Sequence, residues 1–133
     1  MKIDHIAIAV NDVEESAKIY QQALGVDSVE FETVETEGVK VAIIHLENGR
    51  VELMQPTNEN SPIAKFIEKK GEGIHHIAFA VEDIYQEIER LKSSGYCMVH
   101  DKPKKGADNK IIAFLHPKST NGVLIELCQD IED

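Results

Sequence analysis

The chain has no tryptophan, only 5% aromatic residues, two cysteines, and 14 basic side chains against 24 acidic ones, for a net charge of −10. Each scarcity excludes something. A nucleic-acid binder needs a basic footprint and a base-stacking surface needs aromatics, so neither nucleic-acid role is expected. Cys97 and Cys128 have no ligand-like spacing, and no signal peptide opens the chain, so reduced thiols in a cytoplasmic protein are expected. No apolar run approaches the roughly 18 residues of a membrane span, so no membrane role is expected. The 42% hydrophobic and 29% charged residues are ordinary for a globular domain. A length of 133 residues suits one domain, or two small halves sharing one core.

What is present is a repeat. His5-Ile6-Ala7-Ile8-Ala9-Val10 returns as His76-Ile77-Ala78-Phe79-Ala80-Val81, and Asp12 returns as Asp83. Asn48-Gly49-Arg50-Val51-Glu52-Leu53-Met54-Gln55 is echoed by the segment Asn121–Gln129, which carries Glu126. Such self-similarity outranks any local reading. Each half opens with a His on an apolar strand and closes with a Glu on another.

The strand pattern has two unequal faces, because side chains alternate along a strand. Ile6, Ile8 and Val10 share the bulky face, and His5, Ala7 and Ala9 the small one. The bulky face should pack on a helix, which Asn11-Asp12 caps and Val13, Ala17, Tyr20 and Leu24 stripe. Gly25 fits the left-handed stop. Strands are expected at about Val26–Val34, Val39–Leu46 and Arg50–Met54, giving βαβββ. Ser61-Pro62 starts a linker helix that ends at Gly71. The second half repeats the order: a helix from Asp83 to Gly95, then strands at about Tyr96–His100, Lys110–Leu115 and Val123–Cys128. Lys102-Pro103-Lys104-Lys105-Gly106 reads as a basic loop.

The expected fold class is therefore α+β, with two βαβββ repeats forming a curled mixed sheet around a metal-binding cleft. One domain spans 1–133, with repeat one at about 1–56, the linker helix at about 61–70 and repeat two at about 73–130. Facing one another, the repeats would set His5, Glu52, His76 and Glu126 around one point. Two imidazoles and two carboxylates suit a borderline divalent ion such as Zn²⁺, Ni²⁺, Co²⁺ or Mn²⁺. Taken singly, a His on an apolar strand is more often a hydrogen-bonded core residue. Glu52 and Glu126, however, lie in apolar runs where an unpaired carboxylate is costly. Matching repeat positions favour the metal set. His75 points away from His76, and His45, His116 and His100 read as strand-end residues.

The paired units with this His/Glu set resemble the vicinal oxygen chelate (glyoxalase/bleomycin resistance/dioxygenase) superfamily. Within it the chain resembles the methylmalonyl-CoA epimerase family over nearly its whole length. The segments that carry the resemblance are Asp4–Val10, Val51–Pro56, Ser61–Phe66, Gly73–Ala78, Phe114–Lys118 and Gly122–Leu127. The resemblance implies a glyoxalase-like fold and a metal-dependent isomerase. Its reaction would interconvert (R)- and (S)-methylmalonyl-CoA by α-proton abstraction through a metal-stabilised enolate. The implied metal ligands are His5, Glu52, His76 and Glu126, and a homodimer is implied as well. Some members carry Gln where this chain has Glu52, so the present set resembles that of glyoxalase I. Some also carry a carboxylate where this chain has Val41. Glu126 and Glu52 are therefore expected to serve the two faces of the α-carbon as catalytic groups. Lys104, Lys105, Lys110 and Lys118 are the candidates for the CoA phosphates. The competing readings are a glyoxalase I-type lactoylglutathione lyase and a non-catalytic module that binds a small ligand in the same fold.

Overall fold

The structure, a computed structural model, describes residues 1–131. Its elements run β1 (Lys2–Ala9), α1 (Val13–Leu24), β2 (Glu30–Val34), β3 (Val39–Leu46), β4 (Gly49–Pro56), α2 (Pro62–Lys70), β5 (Gly73–Ala80), α3 (Ile84–Ser93), β6 (Lys104–Lys105), β7 (Lys110–Leu115) and β8 (Ile125–Asp130). The class is α+β and both βαβββ repeats are present, as the sequence pattern predicts. The chain divides into two compact units, one of His5–His75 and one joining Met1–Asp4 to the segment from His76 onward.

In the His5–His75 unit, β1 runs parallel to β4, while β4–β3 and β3–β2 are antiparallel. A strand that pairs in parallel with a later one needs a crossover, and α1 supplies it. Asp12 accepts a hydrogen bond from the Glu15 N–H at 3.1 Å and caps the first turn. Gly25 adopts φ +67°, the left-handed stop a side chain would disfavour. Val13 and Ala17 of α1 bury against Ala42, Ile44 and Leu53, with Ile8 and Tyr20 packed alongside. That is the expected use of the bulky face, although Ile6 remains 36% exposed. Ser61 accepts from the Ile63 and Ala64 N–H groups and starts α2 with Pro62 in its first turn.

The second unit repeats the plan. β5 is parallel to β8, and β8–β7 and β7–β6 are antiparallel. Asp83 caps α3 by accepting from the Gln86 N–H. Ile84, Ile88 and Leu91 bury against Ala113, Leu115 and Leu127, with Phe79 and Val81 beside them.

Three expectations need correction. The strand predicted from Val26 begins only at Glu30, because the backbone leaves Gly25 with a Val26 N–H still bonded to the Gln21 carbonyl. The strand predicted at Tyr96–His100 reduces to one bridge between Met98 and Leu115. Its place beside β7 is shared with Lys104–Lys105, read from sequence as a loop, which pairs with Ile112 and Ile111. Gly106 lets that hairpin close: a Cβ there would come within 2.8 Å of the Ile112 side chain.

One repeated contact was only half visible in the sequence. Gln55 accepts from the Val13 N–H at 2.9 Å, and Gln129 accepts from the Ile84 N–H at 2.7 Å. In each repeat, therefore, a glutamine near the end of the last strand satisfies a first-turn donor that no helical carbonyl can reach. Gln129→Ala should lower unfolding free energy by about 1–2 kcal/mol in urea melts, because a partly buried donor loses its acceptor. An unchanged midpoint would mean that water replaces Gln129 without cost.

Candidate metal centre

Strand alternation places the chemistry. In the His5–His75 unit, His5, Ala7 and Ala9 point to one face of β1, and all three are buried. The register sets Ala7 opposite Glu52 on one side, and Ile43 opposite Glu52 on the other. Glu52 is thus a carboxylate 1% exposed, flanked by a methyl group and an aliphatic side chain. Its Oε2 lies 3.3 Å from His5 Nδ1. Arg50, two residues before it on the same strand face, donates from Nη2 to Glu52 Oε2 at 3.0 Å. The same Nη2 stands 3.2 Å from His5 Nδ1.

The second unit builds the counterpart. His76 and Ala78 share a face of β5, and Ala78 pairs with Glu126. Phe114 of β7 lies opposite Glu126 on its other side. His76 Nε2 is 3.1 Å from Glu126 Oε1, with both residues buried. The Phe114 ring meets the His76 ring edge to face, with centroids 5.3 Å apart, and fixes its plane. Ala7–Glu52–Ile43 and Ala78–Glu126–Phe114 are the same arrangement made twice. The pairs differ two residues before each glutamate, where the first has Arg50 and the second has Leu124.

Each pair is a buried imidazole beside a buried carboxylate, and burial of such a charge is tolerated only with a cation or strong donor nearby. The donor types, nitrogen and carboxylate oxygen, fit a borderline divalent ion. Arg50, which contacts both members of the first pair, is the residue here that sequence reasoning missed. Its signal was available, since it shares the strand face of Glu52 at a spacing of two.

The remaining histidines lie elsewhere. His45 pairs with Glu30 at 2.7 Å on an exposed strand end. His75 meets Phe66 edge to face at 5.0 Å, and His116 accepts from the Lys118 N–H. Among the candidate phosphate-binding lysines, Lys105 and Lys118 are exposed and Lys104 half-buried. Lys110 is different: it is 8% exposed and bonded to Asp130, with Asp4 at 3.7 Å. Next to that group lies Cys128, 1% exposed, whose thiol faces the Phe79 carbonyl at 3.6 Å. Burial pushes this thiol far above its ordinary range, and the Asp4 and Glu126 carboxylates push it further.

Among the described residues no helix is long and apolar enough to cross a membrane. The family model of the Glyoxalase/Bleomycin resistance protein/Dioxygenase superfamily matches residues 4–114. The chain belongs to that superfamily. Within it, the similarity is to the methylmalonyl-CoA epimerases. The ethylmalonyl-CoA/methylmalonyl-CoA epimerase of Cereibacter sphaeroides is 44% identical over 130 residues, covering 96% of this chain and 97% of the relative. A solved methylmalonyl-CoA epimerase in complex with methylmalonyl-CoA and NH4+ superposes with a TM-score of 0.93 at 33% identity, over 97% of this chain and 94% of that one. The lactoylglutathione lyase of Haemophilus influenzae is more distant, 28% identical over 131 residues, covering 98% of this chain and 93% of that one.

Thiol reactivity checks this environment. In the native protein a disulfide reagent should modify Cys97 and leave Cys128 untouched, because only a thiolate attacks. Both should react in denaturant. Fast native reaction of two thiols would contradict the burial described for Cys128.

Proposed function

We propose that the chain is a metal-dependent, cytoplasmic epimerase that interconverts (R)- and (S)-methylmalonyl-CoA. The observation that carries this reading is the doubled, buried His/Glu pair in a chain similar along its length to methylmalonyl-CoA epimerases. In this reading the two repeats form one domain, and His5, Glu52, His76 and Glu126 together hold one divalent ion: Co, Zn, Ni or Mn. Such an ion supplies a Lewis acid for the thioester carbonyl and makes the neighbouring α-proton more acidic.

The chain's own residues do the rest. Epimerisation moves a proton off one face of the α-carbon and delivers one to the other, so two groups are needed. Val41, 0% exposed, carries no titratable group. Glu126 therefore serves one face and Glu52 the other. The apolar flanks of each carboxylate, Ala78 with Phe114 and Ala7 with Ile43, keep water from delivering the proton instead. His76 and His5 hold the carboxylates in place. Lys104, Lys105 and Lys118 offer charge to the CoA phosphates. Lys110, tied to Asp4 and Asp130, supports the hairpin that carries Lys104 and Lys105. A homodimer is the expected assembly.

Deuterium exchange tests the reading. In D₂O the metal-loaded protein should wash out the α-proton of both (2R)- and (2S)-methylmalonyl-CoA. Glu52→Gln should keep the ion and slow exchange from one stereoisomer at least about tenfold more than from the other, a differential barrier of about 1.4 kcal/mol. Equal loss from both together with loss of metal would reduce Glu52 to a ligand. Inertness of the wild type toward both stereoisomers, with turnover of a hemithioacetal, would instead establish a lyase of the glyoxalase type.

A further inference from the structure

The feature that the proposed mechanism does not use is Arg50. Its side chain is 10% exposed, and its guanidinium touches both members of one ligand pair, at 3.0 Å from Glu52 Oε2 and 3.2 Å from His5 Nδ1. The other pair has no basic residue at the matching place, which Leu124 occupies. The asymmetry is chemically consequential. A divalent ion sits about 2 Å from its ligand atoms, so one held by this pair would lie within roughly 5 Å of the guanidinium. Arginine keeps its charge at any working pH, so it cannot relieve the repulsion by losing a proton. A metal site designed only for tight binding would have no cation there.

We propose that Arg50 is the specificity residue for the substrate's free carboxylate. It binds Glu52 and His5 until an ion competes for them, then turns its planar fork to the carboxylate that arrives with the substrate. The inference rests on the epimerase reading, because only a malonyl-type substrate brings a carboxylate next to the reacting carbon. A guanidinium matches a carboxylate through two parallel N–H bonds, and a low-exposure setting strengthens them. The cation thus weakens the ion's hold in the free protein and restores it when an anionic substrate is present. That links ion and substrate binding, and by thermodynamic reciprocity each tightens the other. It also separates malonyl-type thioesters from hemithioacetals, which have no carboxylate on the reacting carbon to offer Arg50.

The test compares Arg50→Met, Arg50→Lys and wild type, each first checked for a native circular dichroism spectrum and cooperative melting. Metal affinity is read without turnover, by competing Zn²⁺ or Co²⁺ between protein and a chromophoric chelator. Arg50→Met should bind the ion about tenfold or more tightly, and Arg50→Lys should fall near wild type. Malonate, added as a carboxylate probe, should tighten Co²⁺ binding to wild type and leave Arg50→Met unchanged. With methylmalonyl-CoA, Arg50→Met should raise KM at least about tenfold, with a smaller change in kcat. Unchanged or weaker metal binding in Arg50→Met overturns the proposal, as does an unaltered KM for methylmalonyl-CoA. The metal and malonate measurements stand apart from catalysis. If wild type fails to exchange the α-proton while Arg50→Met still tightens metal, the epimerase reading falls and the ion–guanidinium opposition survives.

Discussion

A carboxylate buried to within a few per cent of complete enclosure, beside an equally buried imidazole, is the constraint on which the rest depends. Glu52 and Glu126 are each set between an alanine on a parallel strand and a bulky apolar residue on an antiparallel one. Removing a charge from water at such a place costs several kcal/mol unless a partner compensates. The alanines leave space beside the carboxylate and the bulky neighbours exclude water. The His on each first strand then brings an imidazole nitrogen to within 3.3 Å of Glu52 and 3.1 Å of Glu126. The same local solution appears in both repeats, which explains why the ladder registers around the two glutamates match residue for residue.

The helices keep those registers in place from the opposite face. α1 and α3 each start at an aspartate cap and bury a short apolar stripe against the strands that carry the glutamate. Gln55 and Gln129 tie the first turn of each helix to the end of the glutamate strand. A one-residue slip of β4 or β8 would turn its glutamate to the helix face. It would also break this glutamine contact, so the capping bond and the site specify the same register. Chemistry and folding are thus coupled through one strand in each unit.

Much of this was legible in the sequence because alternation, capping and repetition leave marks on residue order. His5, Glu52, His76 and Glu126 were identified by their places in the repeat, and Ser61-Pro62, Asp12 and Asp83 by their capping chemistry. What escaped notice depends on contacts that residue order does not encode. The segment around Met98 has strand-like composition but makes a single bridge, since Lys104 and Lys105 take up pairing to the same neighbour. Lys110 is a candidate for the CoA phosphates in the sequence, and its ion pairs with Asp4 and Asp130 join residues far apart in the chain. Arg50 lies within a repeat, but its contacts to His5 and Glu52 arise in the folded chain and are not marked in residue order.

The central proposal is that His5, Glu52, His76 and Glu126 hold one divalent ion. Titrating Co²⁺ into the protein and counting bound ions by absorption, for wild type and for variants lacking one pair, tests it most directly. The account predicts one ion per chain in wild type and loss of that ion in both His5→Ala/Glu52→Ala and His76→Ala/Glu126→Ala, with native folding retained. Two ions per chain, or tight binding that survives deletion of either pair, would contradict it.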